Sequence, residues 1–106
     1  QASLARWPQL PRVELVSHTR DHSVGPGYGR ADASVYELIA ELTRLEGIPL
    51  DPVYTGKAFQ GVVTDIQNNF YEGVEDIIFV HTGGVFGLFA HEPQLLAAAG
   101  RASGAP

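Results

Sequence analysis

The chain has 106 residues, 44% of them apolar, and a formal charge of −5. That size fits one small domain or a piece of a larger one, and the acidic balance argues against the basic face that nucleic acid requires. No apolar run is long enough to span a membrane, and the absence of cysteine excludes a disulfide framework or a thiolate metal site.

In chain order, Ala2 to Trp7 reads as the frayed end of a helix that Pro8 and Pro11 break. Arg12 to His18 (RVELVSH) alternates Val13 and Leu15 with polar neighbours and is expected to be a strand. Thr19 to Ala33 is a loop centred on Gly25-Pro26-Gly27-Tyr28-Gly29. Ser34 and Glu37 match a capping box, and Val35, Leu38, Ile39, Leu42 and Leu45 follow at helical spacing until Gly47 stops the helix. Ile48 to Thr55 connects to a second helix that starts near Gly56 or Lys57. Phe59, Val62, Val63 and Ile66 form its apolar face, and Asn68-Asn69 end it.

Glu72-Gly73 turns the chain into Asp76 to His81 (DIIFVH), whose continuous apolar run is expected to be a strand buried on both faces. Thr82-Gly83-Gly84 turns again, Phe86, Leu88 and Phe89 open an apolar segment, Pro93 to Ala99 form a short helix, and Gly100 to Pro106 form a loose tail. The fold class is therefore expected to be α/β, with two parallel strands joined by a helical crossover. Two strands make too small a sheet to be stable alone. The chain also lacks methionine and begins at Gln1, so a segment of a longer protein is expected.

Ligands of α/β sheets gather outside the carboxyl ends of the strands. Tyr28, Tyr54, Thr55, His81 and Thr82 all fall in loops or turns placed to meet there, and the alternative is ordinary loop polarity. His81-Thr82-Gly83-Gly84 reads either as an anion cradle of close backbone N–H groups or as a plain turn. His18 and His22 have the i,i+4 spacing of zinc ligands, but no apolar period surrounds them and no third ligand is in view, so no metal is expected. Lys57 is the only lysine. It reads either as a Schiff-base candidate or as a solvated lysine at a helix start.

Three stretches carry a resemblance: VGPGYG, EGIPLDPVYTGKAFQG and DIIFVHTGGVFGLFA. Together they resemble the C-terminal part of the D-cysteine desulfhydrase and 1-aminocyclopropane-1-carboxylate deaminase family, from about Trp7 to Phe89. That family implies a tryptophan-synthase-β-like fold (pyridoxal-phosphate fold type II) and pyridoxal 5'-phosphate as cofactor. It implies catalytic positions at Tyr54 and Tyr28 against the substrate, with Tyr54 also beside the cofactor ring and Thr55 and Thr82 near the pyridine nitrogen. Deaminase members usually carry Glu and Leu at the positions of Thr55 and Thr82, so the Thr/Thr pattern resembles the desulfhydrase branch. The implied reaction converts D-cysteine to pyruvate, sulfide and ammonia. A deaminase is the first alternative and a non-catalytic remnant the second.

The resemblance places the phosphate loop and the Schiff-base lysine upstream, outside this chain. It makes Lys57 a helix-start residue and HTGG something other than the phosphate cradle. The expected partners are a small amino-acid substrate, the N-terminal part of the enzyme and a second subunit in a homodimer, in a cytoplasmic setting without nucleic acid or membrane.

Overall fold

The computed structural model describes Glu14 and residues 16–102. Helix α1 spans Ala33–Glu46, α2 spans Thr55–Gln67, a 3-10 helix spans Val85–His91, and α3 spans Glu92–Ala102. The core lies where Val35 and Ile39 of α1 meet Leu50 of the following connection. Leu42, Phe59, Phe79, Leu88 and Leu95 pack around that nucleus, and Phe59 and Phe79 meet edge to face with centroids 5.2 Å apart. Helix α1 packs mainly against α3, less extensively against α2.

The helix boundaries follow from local chemistry. Gly47 takes the left-handed conformation (φ 68°, ψ 21°) that ends α1, and its N–H donates to the Thr43 carbonyl. Asn68 caps α2, and Asn69 turns to φ 58° just beyond it. The start of α1 differs from the capping-box expectation. Asp32 is its N-cap, without a side-chain cap bond. Ser34 instead accepts from Gln60 Nε2 at 2.9 Å, and Glu37 accepts from Arg101 at 2.9 Å. Both side chains are drawn outward by partners on other helices.

The α/β expectation fails. Among the described residues there is no strand and no sheet, so neither parallel strands nor a helical crossover exists. The tryptophan-synthase-β-like architecture expected from the resemblance is corrected accordingly. Residues 76–81 run without a ladder partner, and Ile78 and Val80 are 87% and 72% exposed. A strand is defined by hydrogen bonds to a neighbour, and an apolar run cannot provide both sides of a ladder. In the stretch expected to be the first strand, Arg12, Val13 and Leu15 lie outside the described residues. Glu14 and residues 16–18 are irregular and exposed. The frayed helix expected at Ala2 to Trp7 also lies outside them. The expected tail is shorter than anticipated, because α3 continues through Gly100 to Ala102; residues 103–106 lie outside the described part.

The second helix fully buries a row beside the apolar face its spacing suggests, while Phe59 of that face packs on the core and Val62 and Val63 are half-buried. Its buried residues are Thr55, Gly56, Lys57, Gly61 and Asp65, whereas Ile66 is 50% exposed. Glycine at 61 lets the preceding loop approach: a Cβ there would lie 2.8 Å from Ser23 Oγ. Arg20 grips Asp65 through Nη2 at 2.7 Å and Nε at 3.3 Å while its guanidinium lies over the Phe70 ring. This bidentate pair fixes the loop along α2.

Candidate functional site

The site is built around Asp51, which is 2% exposed. Its carboxylate accepts the N–H groups of Val53 (2.8 Å), Tyr54 (2.7 Å) and Thr55 (2.9 Å), and the Thr55 hydroxyl at 2.6 Å. In return the Asp51 N–H donates to Thr55 Oγ1 at 2.8 Å, and the Asp51 carbonyl accepts from Gly56 N–H at 2.7 Å. The carboxylate thus satisfies donors left open at the start of α2 and complements the positive end of the helix dipole. Burial pushes the Asp51 carboxyl up, but the hydrogen bonds from Thr55, Tyr54 and Val53 outweigh it and hold the group below its ordinary value.

Asp51 also meets the second turn. Gly84 stands at φ 85°, and a Cβ on it would come within 2.7 Å of Asp51 Oδ1. His81 ties the same turn down. Its Nδ1 accepts from Gly83 N–H at 3.0 Å, which leaves Nε2 to donate to the Pro49 carbonyl at 2.8 Å. The Gly83 N–H therefore serves the histidine beside it and is not open to an anion.

Tyr28, Tyr54, Thr55 and Thr82 line one open cavity of about 520 Å³, with Lys57 and Phe79 also in its wall. His81 does not line it. Tyr54 and Tyr28 meet across the mouth, the Tyr54 hydroxyl donating to Tyr28 at 3.0 Å with the rings edge to face. That bond first, then burial and the charge of Asp51, raises the Tyr54 phenol above its ordinary value. Tyr54 is a neutral phenol at physiological pH. Thr55 uses its single hydroxyl proton on Asp51 and one lone pair on the Asp51 N–H, so toward the cavity it can only accept. Thr82 is exposed.

Lys57 is not a solvated lysine. It is 8% exposed, and Nζ donates to the Gly27 carbonyl at 2.8 Å. Neither the burial of Asp51 nor this bond follows from the expected elements; the local signal for Asp51 is an Asp-Pro pair before a helix, the chemistry of an Asx-turn whose carboxylate accepts from N–H groups two to four residues on. His18 and His22 do not share a helix. His22 Nε2 faces Asp65 at 3.3 Å, and the described residues contain no group of three or more side chains able to hold a metal.

Comparison with known proteins fits the resemblance in its coarser form. The chain is 41% identical over 83 residues to a Thermotoga maritima protein named "Putative 1-aminocyclopropane-1-carboxylate deaminase". The matched part is 78% of this chain and a quarter of that relative. The chain therefore spans about a quarter of the length of the curated protein it matches. No family model matches the chain, and no solved structure matches it. No helix among the described residues is long and apolar enough to cross a membrane.

Proposed function

We propose that this chain supplies one wall of the active site of a pyridoxal-phosphate-dependent enzyme that releases sulfide, pyruvate and ammonia from D-cysteine. The observation that carries the reading is the meeting of Tyr28, Tyr54, Thr55 and Thr82 on one cavity, from three segments: the buried Asp51 joins those of Thr55 and Thr82, and the Tyr54–Tyr28 bond ties in the third. The residues fit the ring side of the cofactor. Tyr54 would offer it a phenol face, Thr55 an acceptor and Thr82 an exposed hydroxyl.

They do not fit its aldehyde. The Nζ of Lys57 is engaged by Gly27, which supports the resemblance's assignment of the Schiff-base lysine and the phosphate loop to polypeptide outside these residues. When bound, the cofactor supplies an electron sink for bond breaking at the substrate α-carbon. The chain's own part is to shape the pocket, to hold the Tyr54 proton on the Tyr54–Tyr28 pair, and to present neutral oxygens rather than a carboxylate at Thr55 and Thr82.

The name of the Thermotoga maritima relative favours a second reading, deamination of 1-aminocyclopropane-1-carboxylate. Both are tested on the protein expressed from its natural reading frame with pyridoxal phosphate added. Sulfide and pyruvate from D-cysteine support the first reading. Ammonia from 1-aminocyclopropane-1-carboxylate, without turnover of D-cysteine, transfers the assignment to the second. Turnover of neither by the cofactor-loaded protein overturns both.

A further inference from the structure

We infer that Lys57 is a positioning residue, a latch that holds the GPGYG loop and its Tyr28 across the mouth of the cavity. The geometry is specific. Lys57 Nζ reaches a carbonyl thirty positions away in sequence, that of Gly27, at 2.8 Å. Tyr28 is the next residue, and its hydroxyl accepts a hydrogen bond from the Tyr54 hydroxyl at 3.0 Å. Tyr54 and Lys57 sit one helical turn apart at the start of α2, so one rigid element holds the loop at two adjacent points.

The loop is shaped to be held. Gly25, Gly27 and Gly29 have φ of 68°, 125° and 69°, conformations that other residues adopt only with strain. Gly27 turns its carbonyl to the ammonium, and a Cβ on Gly25 would lie 3.9 Å from Lys57 Cε, so the aliphatic stem packs beneath the loop. Burying an ammonium is unfavourable unless a partner compensates it. The Gly27 carbonyl is that partner, and the cost of losing it keeps the loop in place. Tyr28, 82% exposed, has little packing of its own to do so.

The inference rests on the proposed function only for what the cavity holds, and its test needs neither cofactor nor substrate. Tyrosine rings in the purified protein are labelled with 13C at Cζ, assigned with Tyr28→Phe and Tyr54→Phe, and titrated by NMR. The wild type is expected to show Tyr54 titrating above an ordinary phenol, with ring-proton cross-peaks to Tyr28. Lys57→Met is expected to abolish those cross-peaks and bring the Tyr54 midpoint down. Lys57→Arg, which keeps a donor for Gly27, is expected to restore both.

A cooperative thermal transition shows that each variant is folded. If Lys57→Met does not fold, Gly27→Ala disturbs the same carbonyl from the loop side and is expected to give the same loss. Unchanged cross-peaks and an unchanged Tyr54 midpoint in folded Lys57→Met, or in Gly27→Ala should it be needed, overturn the latch. Sulfide assays leave this result untouched: a confirmed latch in a protein that turns over neither amino acid refutes the proposed function alone.

Discussion

Residues 51–57 and residues 76–82 invert the usual relation between polarity and burial. The first stretch, Asp-Pro-Val-Tyr-Thr-Gly-Lys, is polar, yet Asp51, Thr55 and Lys57 are among the most buried side chains. The second, Asp-Ile-Ile-Phe-Val-His-Thr, is apolar, yet Ile78 and Val80 stand in solvent. The difference lies in where each stretch finds partners. The polar stretch closes on itself: the Asp51 carboxylate takes donors from the next turn of chain, so its groups enter the interior already satisfied. The apolar stretch needs neighbours for both its faces and its backbone; of its apolar side chains Phe79 packs inward, against Phe59 and the core, while Ile78 and Val80 remain exposed. Hydropathy alone sorts these two stretches the wrong way round.

Asp51→Ala breaks the comparison most severely. It strands buried N–H donors around the lost carboxylate and is expected to cost about 3–4 kcal/mol of stability, read from chemical denaturation. The same group gives a pH signature. Its folded-state pKa is depressed below 3.8, so in acid the unfolded chain binds the proton first. The contribution is fully present above that value and is lost as pH falls through the folded-state value. Asp51→Asn removes this part of the acid sensitivity. If wild type and Asp51→Asn lose stability in parallel on acidification, the carboxylate is not the anchor described.

Gly56→Ala sharpens the comparison at lower cost. Its Cβ would lie 2.6 Å from the Asp51 carbonyl and 2.9 Å from Ile39 Cδ1, so main chain must shift. About 2–3 kcal/mol is expected, again from denaturation midpoints. Ile78→Ser is the smallest effect. At 87% exposure the change should stay within about 0.5 kcal/mol. A loss beyond 2 kcal/mol, on the order of a buried isoleucine, would mean that the protein in solution covers this side chain and that residues 76–82 are not the exposed half of the contrast.

Much of the helical framework was legible in the sequence because its signals are local. The spacing of Val35, Ile39 and Leu42, the Gly47 stop and the Asn68-Asn69 end each depend on residues within a turn or two. Tyr28, Tyr54, Thr55 and Thr82 do line one cavity, but the strand ends expected to gather them are absent among the described residues and loops bring them together instead, whereas His81 lies outside it with its ring engaged by Pro49 and Gly83. The sheet was misread because a strand is a relation between segments, and the residues 76–81 contain only one side of it. The capping box was misread because Gln60 and Arg101 compete for its two members from afar. The helix-start position of Lys57 was legible, but its burial was not, because nothing near it in sequence announces the Gly27 carbonyl.

The compactness of the Asp51 cluster also has a meaning in time. Every hydrogen bond of its carboxylate is made within four residues, so the ring closes with little loss of chain entropy. The Arg20–Asp65 pair spans 45 residues. On a logarithmic loop-closure law that difference is worth about 2 kcal/mol against the longer loop. The turn at Asp51 is therefore placed to form early, as a preformed seat on which the later, more distant contacts settle. By the same law the lysine latch, which spans thirty residues, is expected to close after it and ahead of the longer Arg20–Asp65 loop.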